Sequence, residues 1–376
     1  MKTILFITAT RADFGKLKSL IQETIGCKKY KVFIVVTGMH MMPEFGNTII
    51  EVRKTFKKNI LSFNNQKKRL IENILTKTVQ ELSKIIKSKK PNLIIIHGDR
   101  VETLAGAISG SLNHILTAHI EGGEVSGTID DSIRHAVSKL SHIHFVGNKK
   151  ARKRLINMGE EKKSIFEIGS PDIDLLKSGN LPNLETVKKR YSITYKKYAI
   201  LMWHPVTSEQ NLIGNQTKKL MSFLDNYEMN FIVIHPNNDL GSSKILKNYR
   251  QYKDNNKFRF YKSLRFEYFL QLLKNAEFII GNSSSAFYEA IILRTPSINI
   301  GTRQTNRIKS KSILNINIDE LSKNKINKFV KTYKPSSKLF YGNGSSSEKF
   351  IKIISSQKMW KISTQKYFKD NKFIKI

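Results

Sequence analysis

The sequence predicts an α/β protein made of two doubly wound parallel-sheet domains that face each other across a cleft. Three observations carry this. Short apolar runs of buried-strand type alternate with helix-length segments of mixed polarity, the pattern of a parallel sheet with crossover helices. The alternation lapses over residues 177–197, a polar stretch with Pro and Gly and no sustained apolar period, and then restarts. A chain of 376 residues is long enough for each of two domains to bury its own core. The expected division is a first domain over 1–176, a linker over 177–197, a second domain over 198–345, and a C-terminal helix and basic tail over 346–376 that can pack back on the first domain.

Taken in order, Lys2–Thr8 (KTILFIT) reads as a buried strand. It leads through Ala9–Gly15 into a helix pattern at Leu17, Leu20 and Ile21, half of a βαβ unit. Arg11 in that loop is placed to grip a phosphate, although a loop arginine also serves as a merely solvated charge. A second strand, Val32–Val36, runs into Thr37-Gly38-Met39-His40, and a helix pattern from Ile71 to Ile86 precedes a third strand. The chain contains no GxGxxG and no phosphate-binding P-loop, so nicotinamide and ATP readings lose their usual support.

The stretch from His97 to Phe145 collects Asp99, Glu121, Glu124, Asp130 and Asp131 with His97, His119 and His135, in a chain otherwise short of acid. The apolar run Asn92–Ile96 ends in His97-Gly98-Asp99, and Ile115–Ala118 ends in His119-Ile120-Glu121-Gly122-Gly123. Ligands of open α/β sheets bind outside the carboxyl ends of the strands, so two adjacent strands aim Asp99 and Glu121 into one cleft. Asp130 stands before the helix pattern of Ile133, Val137 and Leu140 and borders the same place. Asp99, Asp130 and Asp131 also fit ordinary capping roles. Glu121, at a strand end before Gly-Gly, has little local structural work. A metal site built on His97, Asp99, His119 and Glu121 is the weaker alternative, because no HExxH-like spacing exists. No metal and no cofactor is expected.

A strand at Ile143–Val146, a helix pattern over Lys149–Met158 and a strand at Ile165–Ile168 complete the first half, before Gly169-Ser170-Pro171-Asp172. Beyond the linker, strands at Tyr198–Trp203, Phe231–Ile234, Phe258–Tyr261, Phe278–Ile280 and Ser297–Ile300 are separated by helix-length segments. His204 and His235 each precede Pro at a strand end, which favours ligand contact over a purely structural role. Gly281-Asn282-Ser283-Ser284-Ser285 followed by AFYEAIIL reads as a loop opening a plain helix. Its N–H groups and hydroxyls make a diphosphate cradle, with Glu289 one turn on as acceptor for a ribose diol. An ordinary capped helix with a surface Glu is the alternative. Arg303, in Gly301–Arg307, adds a cation to the same edge.

Composition sets wider bounds. Against 30 acidic residues stand 65 basic ones, a net +35. That raises nucleic acid or an anionic membrane as partners, yet the lysines are scattered and no nucleic-acid-binding motif is present. No apolar run reaches the ~18 residues of a membrane span, no signal segment opens the chain, and the single cysteine, Cys27, has no partner for an internal disulfide. A cytoplasmic protein without a specific nucleic acid partner is expected. The tail from Lys358 carries Trp360, Tyr367, Phe368 and Phe373 among lysines, with Asp370 as its acid.

Eight segments together resemble one family: TRADFGK (10–16), HGDRVETLAGA (97–107), HIEGGEVSGTIDDSIRHAVSKLSHIHF (119–145), GSPDID (169–174), WHPVTSE (203–209), HPNND (235–239), GNSSSAFYEA (281–290) and IGTRQTNR (300–307). They are similar to the hydrolysing UDP-N-acetylglucosamine 2-epimerases of bacterial sialic acid synthesis, within the UDP-sugar 2-epimerases of GT-B fold, whose two domains are Rossmann-like. The resemblance implies release of N-acetylmannosamine and UDP through a 2-acetamidoglucal. It implies Asp99, Glu121 and Asp130 as catalytic carboxylates, His204 beside the leaving phosphate, and Arg11, Ser283–Ser285 and Glu289 at the UDP end. It also implies a homodimer. Glu121-Gly-Gly-Glu with its short spacer to Asp130-Asp131 favours the hydrolysing over the non-hydrolysing branch. A 2,4-diacetamido-6-deoxy sugar nucleotide, on the route to legionaminic acid, is the nearest rival substrate. A GT-B glycosyltransferase and a basic nucleic-acid-binding protein are more distant readings.

Overall fold

The computed structural model describes residues 1–66, 70–336, 340–367 and 369. Among them the strands form two sheets, one of seven and one of six, and every pairing is parallel. The first sheet comprises β1 (Lys2–Thr8), β2 (Tyr30–Val36), β3 (Ile60–Ser62), β4 (Leu93–His97), β5 (Leu116–Ile120), β6 (Ile143–Val146) and β7 (Ile165–Glu167), in the order β3-β2-β1-β4-β5-β6-β7. The second comprises β8 (Ala199–Met202), β9 (Phe231–Ile234), β10 (Phe258–Tyr261), β11 (Ile279–Gly281), β12 (Ser297–Ile300) and β13 (Ile313–Ile316), in the order β10-β9-β8-β11-β12-β13. Both are Rossmann-like, and in each the order reverses between the first strand and its neighbour, β1|β4 and β8|β11. Those switch points are where an open α/β sheet binds its ligand.

Strand chemistry explains the layers. Ile4 and Phe6 with Leu93 and Ile95 line one face of the first sheet, while Leu5 and Ile7 with Ile94 and Ile96 line the other. A strand buried on both faces must be apolar at every position, which is why NLIII reads as a continuous run. At ~1.5–3 kcal/mol for each large apolar side chain, this burial is the main drive to fold.

The chain divides into two compact units, 1–124 with 130–177 and 340–376, and 125–129 with 178–339. Two expectations need correction, and two strands were not foreseen. The segment 177–197 is not an irregular linker: Asn183 caps a helix, Leu184–Arg190, with Val187 fully buried, and the Tyr191 ring packs edge-on against Tyr261. One buried valine in a single helical run shows no period in the sequence. The second unit ends before Phe340 rather than at residue 345. The short edge strands β3 and β13, only partly buried, gave no apolar run long enough to be read.

Residues from Phe340 onward belong to the first unit. Asp174 accepts the N–H groups of Ser346 and Ser347 and so starts helix Ser346–Ile354. Phe350 from that helix is fully buried, with its ring centroid 4.9 Å from Phe145 and 6.5 Å from Phe6. Trp360 stacks on Tyr30, and the Lys366 ammonium contacts the main-chain oxygens of Lys139 (2.8 Å) and Ser141 (2.7 Å) at the end of helix Ile129–Leu140. Phe368, Asp370 and Phe373 of the basic tail lie outside the described residues. No helix among the described residues is long and apolar enough to cross a membrane.

Phe350→Ala removes an aromatic side chain from the face of the first sheet. It is expected to cost about 3–5 kcal/mol in urea unfolding followed by tryptophan fluorescence.

Candidate functional site

At the carboxyl end of β5 the chain turns sharply, and the turn determines where Glu121 points. Its N–H bonds to the Phe145 carbonyl of β6 (2.9 Å), and its φ of 63° is in the left-handed region, unusual for a residue with a side chain. Gly123 also has positive φ, and a Cβ there would meet the Ala151 carbonyl oxygen at 2.4 Å, so no other residue fits the turn. The Glu121 carboxylate accepts from Lys16 Nζ (2.7 Å) and Ser170 Oγ (2.6 Å) and lies 3.3 Å from His97 Nε2. Burial opposes its charge, yet Lys16 and His97 outweigh burial and hold the carboxyl well below the usual carboxylate range. Glu121 is an anion at neutral pH.

Lys16 projects from helix Arg11–Gly26, whose start is fixed by a capping box between Thr10 and Asp13. Arg11, the first residue of that helix, sends its Nε to Glu51 (2.8 Å). Asp99 follows β4 through Gly98, whose N–H is anchored on the Ile120 carbonyl. Although β4 and β5 are neighbours, Asp99 and Glu121 have different partners. The Asp99 carboxylate is held by the buried Arg134, which also reaches Asp131 (3.3 Å) and the Glu124 carbonyl (3.3 Å). Asp99 is thereby drawn to the first turn of helix Ile129–Leu140, where Asp130 stands beside Asp131. His135 Nε2 lies 3.5 Å from Asp131.

His119 has a different job from the one a metal reading gives it. Its Nε2 is 2.8 Å from the Gly98 carbonyl, an acceptor, and its Nδ1 is 3.0 Å from Ser138 Oγ. Both ring nitrogens are occupied, and burial drives the ring down to about 3, so it is a neutral strut between β4 and helix Ile129–Leu140.

In the second unit Asn282 is the bracket. Fully buried just after β11, it accepts the His204 N–H on Oδ1 (2.7 Å) and donates from Nδ2 to the His204 carbonyl (2.8 Å). Its own carbonyl receives Gln304 Nε2 (2.8 Å) and Arg303 (3.3 Å). Asn282 thus positions the loops after β8 and β12 and spends its amide doing so. Gly281 before it has φ 134°, and a Cβ would stand 2.0 Å from the Met202 carbonyl oxygen, which explains why β11 ends in glycine. His204 Nδ1 accepts the Asn237 N–H (3.1 Å), so the ring proton resides on Nε2 and the ring can donate to an anion.

Two expectations for this unit change. AFYEAIIL is not one helix. Ser283 Oγ takes the Ser285 N–H, a 3₁₀ turn spans Ser284–Ala286, Tyr288 leaves helical geometry, and the α-helix is only Glu289–Leu293. Glu289 therefore opens its own short helix, buried, and does not sit a helical turn beyond Ser285. His235 is not the equivalent of His204, since its ring packs against Tyr249 (6.3 Å between centroids) and is pushed down to about 4 by burial and by Lys262.

Sequence reasoning did not single out Lys16, Ser170, Arg134, Asp172 or Gln304. All five lie inside segments already quoted for other reasons, and nothing local marks which lysine of so many turns inward.

The sequence model of UDP-N-acetylglucosamine 2-epimerase matches residues 24–355. A protein of Neisseria meningitidis described as UDP-N-acetylglucosamine 2-epimerase is 43% identical, over 98% of this chain and 99% of its own. The GDP/UDP-N,N'-diacetylbacillosamine 2-epimerase (hydrolyzing) of Campylobacter jejuni is 35% identical over 85% of each chain. Among solved structures, the Methanocaldococcus jannaschii UDP-GlcNAc 2-epimerase, determined with UDP-GlcNAc and UDP, shares the fold at a TM-score of 0.80 and 22% identity, covering 94% of this chain and 99% of that one.

Lys16→Met removes the ammonium that faces the buried Glu121 charge and is expected to destabilise the protein by ~3 kcal/mol, with part of that loss recovered in the double variant with Glu121→Gln. The folded-state pKa of Glu121 is lowered, so its contribution to stability is present above about pH 4–5, the unfolded carboxylate range, and fades as pH falls through the folded value. Urea unfolding of the four proteins across that pH range reads both effects.

Proposed function

The chain belongs to the UDP-N-acetylglucosamine 2-epimerase family, and from that membership we propose that it is the hydrolysing enzyme, converting UDP-N-acetylglucosamine and water to N-acetylmannosamine and UDP. The observation that carries the reading is Glu121, a buried carboxylate kept ionised by Lys16 and His97 at the carboxyl edge of the first sheet, in a chain 43% identical to the Neisseria meningitidis protein across nearly its whole length. The hydrolysing branch is supported by Glu121-Gly122-Gly123-Glu124 with its short spacer to Asp130, and by relatives whose names specify hydrolysis.

The chemistry constrains the roles. No carbonyl adjoins C2 of the sugar, so its proton leaves only as the C1–O bond breaks and the electron pair departs with UDP, giving 2-acetamidoglucal. Water then adds its hydroxyl at C1 and C2 takes a proton on the opposite face, which inverts that centre. Elimination and hydration each need a proton acceptor or donor. Glu121, Asp99 and Asp130 are the carboxylates assigned to these transfers. The Arg134 guanidinium joins Asp99 to Asp131 and orients both carboxylates. UDP recognition is assigned to Arg11 and to the second unit: His204 through Nε2–H, the Ser283–Ser285 hydroxyls, Glu289 for the ribose, and the cation of Arg303. Asn282 acts on the nucleotide through His204 rather than directly.

A second reading differs only in the sugar. The 35% identity to a diacetamido-sugar 2-epimerase over 85% of each chain supports a 2,4-diacetamido-6-deoxy sugar nucleotide as substrate.

Proton NMR of the protein with UDP-N-acetylglucosamine in D2O tests both. The expected result is free UDP with N-acetylmannosamine deuterated at C2. UDP-N-acetylmannosamine instead would assign the chain to the non-hydrolysing branch, and turnover of the diacetamido nucleotide alone would favour the second reading. Asp99→Asn, Glu121→Gln and Asp130→Asn are each expected to lower kcat by about 10²–10⁴-fold while UDP affinity, read by calorimetry, stays nearly unchanged. Full activity in any one removes that residue from the mechanism.

A further inference from the structure

The proposed reaction gives no role to the basic tail, yet one of its lysines is turned inward. An ammonium has three protons to give, and that of Lys366 has three close acceptors. They are the Lys139 carbonyl (2.8 Å), the Ser141 carbonyl (2.7 Å) and Glu160 Oε2 (2.5 Å), with the Ser138 carbonyl farther off at 3.4 Å. The arrangement is fixed from both sides. His142 accepts the Thr117 N–H on Nδ1 (3.1 Å), so its own proton is on Nε2 and goes to the Thr364 carbonyl (3.0 Å), two residues before Lys366. Glu160 is 2% exposed, and it pairs through Oε1 with Lys139 Nζ (2.9 Å) and through Oε2 with His144 Nε2 (2.9 Å). A lysine that merely solvates the surface needs none of these partners.

The carbonyls that Lys366 meets end helix Ile129–Leu140. The last carbonyls of a helix have no partner inside it and carry the negative end of its dipole, so a cation fits there. The Val137 carbonyl takes the Ser141 N–H (3.0 Å) and hydroxyl (2.8 Å). Those of Lys139 and Ser141 are left to a residue 225 or more places further along the chain. The same helix opens with Asp130 and Asp131 and sends Arg134 to Asp99. One turn beyond Arg134, on the same face, Ser138 Oγ meets His119 Nδ1 (3.0 Å), the strut to β4. We propose that Lys366 is a positioning residue: anchored by Glu160, it caps this helix from the tail and so keeps Asp130 and the Arg134–Asp99 pair in place for the reaction. It acts only through the helix. That role rests on the part proposed for Asp130 and Asp99, whereas the cap itself does not.

The cap is read first on the substrate-free, full-length protein, by hydrogen exchange and mass spectrometry. Lys366→Met keeps most of the side-chain bulk and removes the charge with its protons. Exchange is expected to be about tenfold faster in peptides covering residues 134–142 and unchanged in helix Ile213–Asp225 of the second unit. Lys366→Gln, a neutral side chain with two protons to give, is expected to fall between, and it decides the matter if Lys366→Met does not fold. Exchange over 134–142 at the wild-type rate overturns the proposal.

The positioning role is read by kinetics. Lys366→Met is expected to lower kcat about tenfold, counted per UDP-binding site by calorimetry, with KM unchanged. In an Asp130→Asn background the same substitution is expected to cost less than about threefold, because groups that act as a unit are lost together. An equal loss in both backgrounds marks a merely structural residue and overturns the role. Faster exchange in a protein whose wild type turns over no sugar nucleotide would refute the proposed function and leave the cap standing; turnover with unchanged exchange would do the reverse.

Discussion

Everything in this molecule that bears on chemistry follows from strands that all run the same way. A parallel pairing sends every strand end to one edge of its sheet, and the crossover helices cover both faces. Side chains that do something other than pack are thereby gathered at the carboxyl edge, on its loops and on the opening turns of the helices that follow, such as Lys16 and Arg134. The reversal of strand order beside β1 and beside β8 then selects one place on each edge. His97, Asp99 and Glu121 on the first sheet, and His204 and Asn282 on the second, stand beside these two places. The two units solve the same geometric problem with different chemistry. The first concentrates charge, and the second uses main-chain groups and neutral donors arranged by an amide.

The distribution of acid is the complement of the basic surface. In a chain with 65 basic and 30 acidic residues, Asp13, Glu51, Glu102, Glu121, Glu124, Glu160, Asp172, Glu267 and Glu289 are all buried. Buried carboxyls are tolerated only with partners or a proton. Glu121 has an ammonium and a hydroxyl, and Glu160 is clasped by Lys139, Lys366 and His144. The positive excess is thus a property of the exterior, whereas the buried charged residues are mostly acids.

Much of this was legible in the sequence because parallel sheets write themselves plainly. Continuous apolar runs such as Asn92–Ile96 admit few other readings, and Asp99 and Glu121 were identifiable because each follows such a run. What escaped notice was set by contacts distant in the chain. Lys16 meets Glu121 across 105 residues, and Arg134 joins Asp99 across 35. A lysine that turns inward looks like every other lysine until its partner is placed. Helix Leu184–Arg190 was invisible because one valine supplies its burial, and AFYEAIIL misled because an apolar period does not register a hydroxyl that competes for a main-chain N–H.

The first unit is not one continuous piece of chain, and this bears on how the molecule comes into being. Phe350, Ile354 and Met359 complete a core begun by Ile4 and Phe6, and Tyr30 bonds the Ile354 carbonyl across 324 residues. At ~5–20 residues per second of synthesis, the opening βα units wait for the helix that seals them while the 324 residues from Tyr30 to Ile354 are made. The second unit, 178–339 apart from one short excursion, has nearly all its residues available earlier. Order of emergence and order of completion are therefore reversed: the sheet made first is closed last, and until Phe350, Ile354 and Met359 arrive part of its apolar face stays uncovered.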